Sequence, residues 1–403
     1  MGMLREPGPV RMFAAVTLAN TVGNGLLATA VVLYFTHVVG LGGGQVGLGL
    51  TVAGFFGLVV GVPVGHLADR RGPREVLAAI LACEAVAVAL YAVTDSFAAF
   101  LVVAAAVVTL NRAESAVRQG LIAQMLPPED RVHGRAILRS VTNVGFAIGS
   151  AIAALAILFD TRGAYDALIL GDAATYAVAL VLTLRLPHVA PRPPASEGPR
   201  LIVLRDRPYL AVMALVGVMT LHFSLLEVGI PLWIGHTDAP RVTVGIVFVL
   251  NCVLVALLSV PMARGSETIR GSARAAVIAA VLLATSCVAF ALSGAVAGAA
   301  AAAVVVIAAG TIEVFGEMAQ AASSWGLSFG LAPEHAQGQY QGLASTAFSL
   351  ASMLGPALMA AVTAAGTIGW LAFGALFLVA GTATVPVSRW AEGHRAAAAA
   401  TAP

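Results

Sequence analysis

Long apolar runs, cut by short turns rich in Arg, Gly and Pro, recur along the whole of this 403-residue chain. A hydrocarbon core of about 30 Å takes about 20 apolar helical residues to cross. Runs of that order fall at roughly 10–36, 44–67, 74–93, 98–124, 136–159, 165–186, 207–235, 242–262, 273–293, 296–325, 339–364 and 367–388. Backbone amides have no partners in lipid, so each run is predicted as a membrane-crossing helix. The expected fold class is therefore an all-α membrane protein of twelve transmembrane helices in two six-helix bundles. Charged residues make up only 10% of the chain, against about 25% in soluble domains. An aqueous fold has no way to hide so much apolar surface.

The direction of the helices follows from the arginines, since the sequence has no lysine. Arg5 and Arg11, then Arg70, Arg71 and Arg74, Arg131, Arg135 and Arg139, Arg264, Arg270 and Arg274, and Arg389 and Arg395 all fall on one side. So do the five between Arg185 and Arg207, whereas the opposite side has only Arg162 and Arg241. By the positive-inside rule both termini are expected in the cytoplasm. The first run follows Arg5 and Arg11 without a small-residue cleavage site, and reads as a retained helix. Pro187, Pro191, Pro193, Pro194 and Pro199 mark a linker at 187–206 between bundles at 1–186 and 207–403. Pro128-Glu129 followed by Gly149-Ser150-Ala151 recurs as Pro333-Glu334 followed by Gly355-Pro356-Ala357. This weak internal repeat fits two parallel halves.

The turn after the second run reads Gly65-His66-Leu67-Ala68-Asp69-Arg70-Arg71-Gly72-Pro73-Arg74. It fits G-x-x-x-D-R-x-G-x-R, and between two membrane helices it resembles the loop joining helices two and three in major facilitator superfamily transporters. Gly65 allows a close helix approach, and Gly72-Pro73 makes a turn with proline opening the next helix. The resemblance implies that Asp69 caps the start of helix eleven and so stabilises one access state. It assigns Gly65, Asp69, Arg70, Gly72 and Arg74 to a gating motif; Pro73 stands where the family often has a basic residue. The second half keeps only a degenerate counterpart at Arg264, Gly265 and Gly271. Helix five has Gly145 and Gly149 where drug–proton antiporters show a Gly-Pro signature, with Ser150 in the proline position. The stretch from Gly316-Glu317 to Tyr340-Gln341-Gly342 is similar to bacterial multidrug-type facilitators.

Charge at a bilayer centre costs about 2.5–3.5 kcal/mol per residue or more, so its placement is a functional clue. Arg112, Glu114 and Arg118 fall in helix four, His222 and Glu227 in helix seven, Glu313 and Glu317 in helix ten, and Asn20 and Asn24 in helix one. The resemblance implies that these four helices line a central cavity. Glu114 and Arg118 are spaced to pair on one helix face. Arg112 has no such partner on its own helix and is expected to meet a substrate or a facing acid. The substrate cavity is thus assigned to Asn20, Asn24, Arg112, His222 and Glu227. Glu313 and Glu317 put like charges on one face, an arrangement in which one carboxyl keeps its proton; with Glu114 and Glu227 they form the proton-coupling set. Glu84 and Asp172 read as packing or local hydrogen-bonding acids, and Asn143 and Asn251 as interhelical hydrogen-bond partners. Trp233 and Trp325 read as interfacial anchors, and Cys83, Cys252 and Cys287 as buried filler.

Scattered arginines form no nucleic-acid face. No P-loop, catalytic motif, cofactor motif or metal-ligand spacing appears, so an enzyme is not expected. The expectation is a monomer in a bacterial cytoplasmic membrane that exchanges protons for an amphipathic small molecule. Two alternatives stand beside it: a proton-coupled importer or uniporter of a small anionic metabolite, and a non-transporting sensor or scaffold.

Overall fold

The computed structural model of the protein describes residues 8–157, 159, 161–189 and 201–400. Arg5 and the linker prolines Pro191, Pro193, Pro194 and Pro199 lie outside the described residues. Among the described residues all regular structure is helical, and 12 helices are long and apolar enough to cross a membrane. They are α1 (Gly8–Leu33), α2 (Gly43–Arg71), α3 (Pro73–Leu90), α4 (Phe97–Met125), α5 (Pro128–Ile157) and α6 (Arg162–Leu184). Then follow α7 (Arg207–His236), α8 (Val242–Ala263), α9 (Ile269–Ser293), α10 (Ala299–Gly330), α11 (Gln337–Ala364) and α12 (Gly366–Ala400).

Local chemistry sets the ends. Side chains of Ser96, Thr161, Asp206 and Thr268 accept from the backbone amides of Ala99, Ala164, Tyr209 and Gly271, capping α4, α6, α7 and α9. Gly72 separates α2 from α3 at φ 95°, a left-handed conformation suited to glycine, and Pro73 then opens α3. Two ends differ from the hydropathy reading. α5 starts at Pro128 rather than near 136, because Glu129 and Asp130 in its first turn favour the helix while keeping it polar. α12 continues beyond 388, where Arg395 pairs with Asp206 at 2.5 Å. α7 is not continuous: it breaks at Leu221, and a π-helical turn spans Leu225–Gly229 before Pro231. Uniform apolarity conceals such a break, since hydropathy does not register the hydrogen-bond pattern.

The chain forms two compact units. The first takes Met1–Pro127, Ile137–Ile202 and Ala332–Thr346, the second Pro128–Ala136, Val203–Leu331 and Ala347–Pro403. In the first, α2 packs on α4, α1 on α6, and α3 on both α4 and α6. The second repeats these neighbours six helices later, with α8 on α10, α7 on α12, and α9 on both α10 and α12. The first unit has an aromatic cluster of Tyr34, Phe35, Tyr91 and Phe100, with the Phe35 and Phe100 rings 4.4 Å apart.

The second unit is centred on Trp370, stacked 5.0 Å from Phe290 and edge-on to Trp233. Trp233 is 4% exposed and donates to the Phe290 carbonyl at 2.9 Å and to Ser293 Oγ at 3.0 Å. It is a core residue, not an interfacial anchor, because its indole N–H finds its acceptors on α9. Trp325 is also buried, with Arg135 over its ring. Cys83 and Cys252 face outward from their helices; only Cys287 is the buried filler expected of all three.

Candidate functional site

Three polar centres interrupt the apolar packing. The first lies at the end of α2. Asp69 is 4% exposed, and its carboxylate accepts from the backbone amides of Gly338 at 2.9 Å and Gln339 at 3.1 Å. Those amides belong to the first turn of α11, where no intrahelical acceptor exists and the helix dipole is positive. Gln124 of α4 adds a third donor at 3.3 Å, and His66 meets Gln339 at 2.9 Å.

This approach is possible only because the backbones nearly touch. A Cβ on Gly61 would lie 2.7 Å from the Gly342 carbonyl oxygen, and one on Gly65 would strike the Gly338 carbonyl. Arg70 is exposed. Arg74 instead turns toward α6 and donates to the Leu184 carbonyl, while neighbouring Glu75 meets His188 at 2.8 Å.

The second centre joins α1, α3, α4 and α6. Asn24 Nδ2 donates to Asn20 Oδ1 at 2.8 Å, and Tyr176 donates to Asn24 Oδ1 at 3.1 Å. Glu114 pairs with Arg118 at 3.4 Å, as their spacing predicts. Glu84 is wholly buried and neither carboxylate oxygen has a hydrogen-bond partner. Glu114, Arg118 and Asp172 are within its electrostatic reach. Asp172, also wholly buried, accepts from Thr175 through Oδ1 and leaves Oδ2 without a hydrogen bond. Sequence reasoning gave Glu84 and Asp172 packing roles; the one available cue was that both are acids in otherwise apolar helices.

The third centre joins α7, α8 and α10. His222 Nδ1 lies 3.1 Å from Glu313 Oε1, with both side chains fully buried. Asn251 donates to Glu317 Oε2 at 2.7 Å, an interhelical bond from α8. Asn143, in contrast, donates to the Arg139 carbonyl of its own helix. One donor atom each from His222, Glu313 and Glu317 lies within 4.8 Å of the others. His222 and Glu313 are 91 positions apart in the chain, so no local spacing announced the cluster. Gln320, three residues after Glu317 on α10, donates to Thr220 at 3.1 Å.

Two further residues of the expected cavity lie on α7 and α4. Glu227 is exposed on the π-helical turn of α7. Arg112 is half-buried and lies across Gly57 of α2, where a Cβ would come 3.0 Å from Arg112 Cγ.

Twelve apolar helices in two units with repeating helix neighbours, and with hydrogen-bonded polar side chains buried inside each unit, define a multi-pass membrane protein. The sequence matches the Major Facilitator Superfamily over residues 13–356, and the chain belongs to that family. Solved structures share its fold. The human organic anion transporter MFSD10 is 16% identical, with a TM-score of 0.68 over 94% of this chain and 100% of that one. A bacterial homologue of the iron transporter ferroportin, in an outward-facing state, is 15% identical with a TM-score of 0.75, covering 96% of this chain and 100% of its own. The same type of homologue with soaked iron is 13% identical, with a TM-score of 0.69 over 95% of this chain and 99% of that one. No curated protein matches the sequence.

Proposed function

We propose that the protein is a secondary transporter working by alternating access, in which proton entry drives export of an amphipathic small molecule. Glu84 carries this reading. An ionised carboxylate without a hydrogen-bond donor is strongly disfavoured in an apolar interior, whereas the neutral acid is tolerated. Glu84 of α3 has no such donor, and the charged and titratable groups about it are Glu114 and Arg118 of α4, Asp172 and Tyr176 of α6, and Cys83 of its own helix. Three acids stand against one arginine in that group, which favours a neutral carboxyl as long as the site stays dry. Losing the proton then requires a change in the surroundings, which is what coupling to a conformational cycle supplies.

The sequence reading placed the proton on Glu313 or Glu317. We assign it instead to Glu84, because Glu313 already meets His222 and Glu317 meets Asn251. Export and an amphipathic substrate rest on the resemblance to multidrug-type facilitators. Cytoplasmic termini, and a monomer in a bacterial plasma membrane, rest on the arginine distribution and its family context.

The test uses the full chain in proteoliposomes with an imposed pH gradient, and ligands chosen for raising its thermal transition. Antiport moves protons and ligand in opposite directions, read by lumenal pyranine and by ligand accumulation. Glu84→Gln keeps downhill ligand exchange and loses pH-driven accumulation. Accumulation that survives in Glu84→Gln refutes the assignment. Half-buried Arg112 favours a second reading, uptake of a small anionic metabolite; one fold relative is an organic anion transporter. Ligand and proton moving in the same direction select that reading.

A further inference from the structure

The centre formed by His222, Glu313 and Glu317 has a property that neither proton coupling nor export requires. From the geometry, we propose that these three side chains form a binding site for one divalent transition-metal ion of the Mn2+, Fe2+, Co2+ or Zn2+ class.

The donor set points there first. One imidazole and two carboxylates suit borderline first-row ions. Ca2+ and Mg2+ prefer oxygen alone, and Cu(I) prefers sulfur, which the set lacks. Spacing agrees. Metal–ligand bonds of about 2.0–2.2 Å put neighbouring donor atoms about 3–4 Å apart. His222 Nδ1 and Glu313 Oε1 already stand at 3.1 Å, and all three donors fall within 4.8 Å, so a small closure completes the set.

Charge and hydrogen bonding give two further arguments. His222 and Glu313 are 0% exposed and Glu317 is 2% exposed. A divalent ion balances two carboxylates, leaving an electrically neutral group in a low-dielectric interior, where an uncompensated pair of acids is costly. Glu313 Oε2 is buried without a hydrogen-bond partner, so the cluster has a carboxylate oxygen left over for a ligand.

The surroundings also fit. Asn251 Nδ2 holds Glu317 Oε2 at 2.7 Å, the kind of outer hydrogen bond that orients a metal-bound carboxylate. Glu313 and Glu317 stand one turn apart on the same rigid helix, and His222 follows the break in α7. Bound metal would therefore cross-link α10 to the broken part of α7.

The experiment uses the full-length chain purified in detergent and stripped with a chelator. Co2+ is titrated as the probe and read by its visible absorption bands, with bound metal counted by equilibrium dialysis. The expected result is saturable binding of one ion per chain, competed by Zn2+ and not by excess Mg2+, with a rise in the thermal transition. His222→Gln and Glu317→Gln abolish the bands and the thermal rise while circular dichroism stays helical. Asn251→Leu leaves all three ligands in place and weakens binding about 10- to 100-fold. If His222→Gln does not fold, Glu317→Gln and Asn251→Leu carry the same test. Absence of one-ion saturation, equal competition by Mg2+, or undiminished affinity in the folded variants overturns the proposal. None of these readouts involves transport, so failure here leaves the assignment of Glu84 untouched, and the reverse also holds.

Discussion

Asp69→Asn tests the contact between α2 and α11 at its most sensitive point. The carboxylate accepts from two backbone amides at 2.9 and 3.1 Å while 4% exposed, so solvent screens it little. Asparagine keeps one acceptor oxygen and turns an NH2 group toward the other amide. Hydrogen bonds to charged groups contribute about 1.5–3 kcal/mol each, and one is lost. Losing the negative charge at a helix N-terminus removes about 0.3–1 kcal/mol more. The contact is therefore weakened by roughly 2–4 kcal/mol, which at about 1.4 kcal/mol per tenfold is roughly a 30- to 700-fold shift in its closed population. His66 and Gln339 side chains, 2.9 Å apart, provide a reporter. With Cys83, Cys252 and Cys287 replaced by alanine, a His66→Cys/Gln339→Cys pair cross-links only while α2 and α11 are together. Asp69→Asn in that background should slow cross-linking by a factor in this range while leaving the thermal transition nearly unchanged. Equal cross-linking rates with and without Asp69→Asn would falsify the argument that this carboxylate holds the contact.

Other substitutions follow from the same geometry. Gly342→Leu places a Cβ against the Gly61 carbonyl, so α2 and α11 must separate and the same cysteine pair should stop cross-linking; persistence of the cross-link refutes the close-backbone account. Trp233→Phe removes the indole N–H that bonds the Phe290 carbonyl and Ser293 Oγ, which keep their own bond at 2.7 Å, and should cost about 0.5–1.5 kcal/mol in chemical denaturation. A stability change within error would show that those bonds contribute nothing. Arg112→Ala should lower ligand affinity measured by thermal shift, and unchanged affinity assigns Arg112 a structural role beside Gly57.

Much of the fold could be read from the amino acids because lipid imposes a simple requirement, about twenty apolar residues per crossing. Asp69 was legible for a different reason: a short turn with fixed glycines and one acid leaves few structural roles for that acid. Pairing of Glu114 with Arg118 followed from helical spacing alone. The break in α7 was hidden, since Leu225–Gly229 is as apolar as a regular helix would be apart from Glu227. Glu84 and Asp172 read as packing acids in the sequence because each is a single acid in an apolar run, and only the packing of α3 against α4 and α6 brings them beside Glu114. The grouping of His222 with Glu313 and Glu317 depends on tertiary packing between helices far apart in sequence. Trp233 misled for a related reason: position near a span end says little about which neighbour an indole meets.

Asp69 and its two amide donors are separated by 269 and 270 positions along the chain. Synthesis proceeds from the N-terminus, so α2 is made and inserted long before α11 exists. During that interval the carboxylate lacks the two donors that later cover it, and Gly61 and Gly65 present bare backbone with nothing laid against them. The first unit therefore cannot be completed by the first half of the polypeptide, because Ala332–Thr346 is part of its packing. A chain stopped before α11 should expose this strip to proteases and insertion chaperones, while the full chain buries it. Resistance of the α2–α3 turn to proteolysis is thus a clock for late assembly, readable on nascent chains of increasing length.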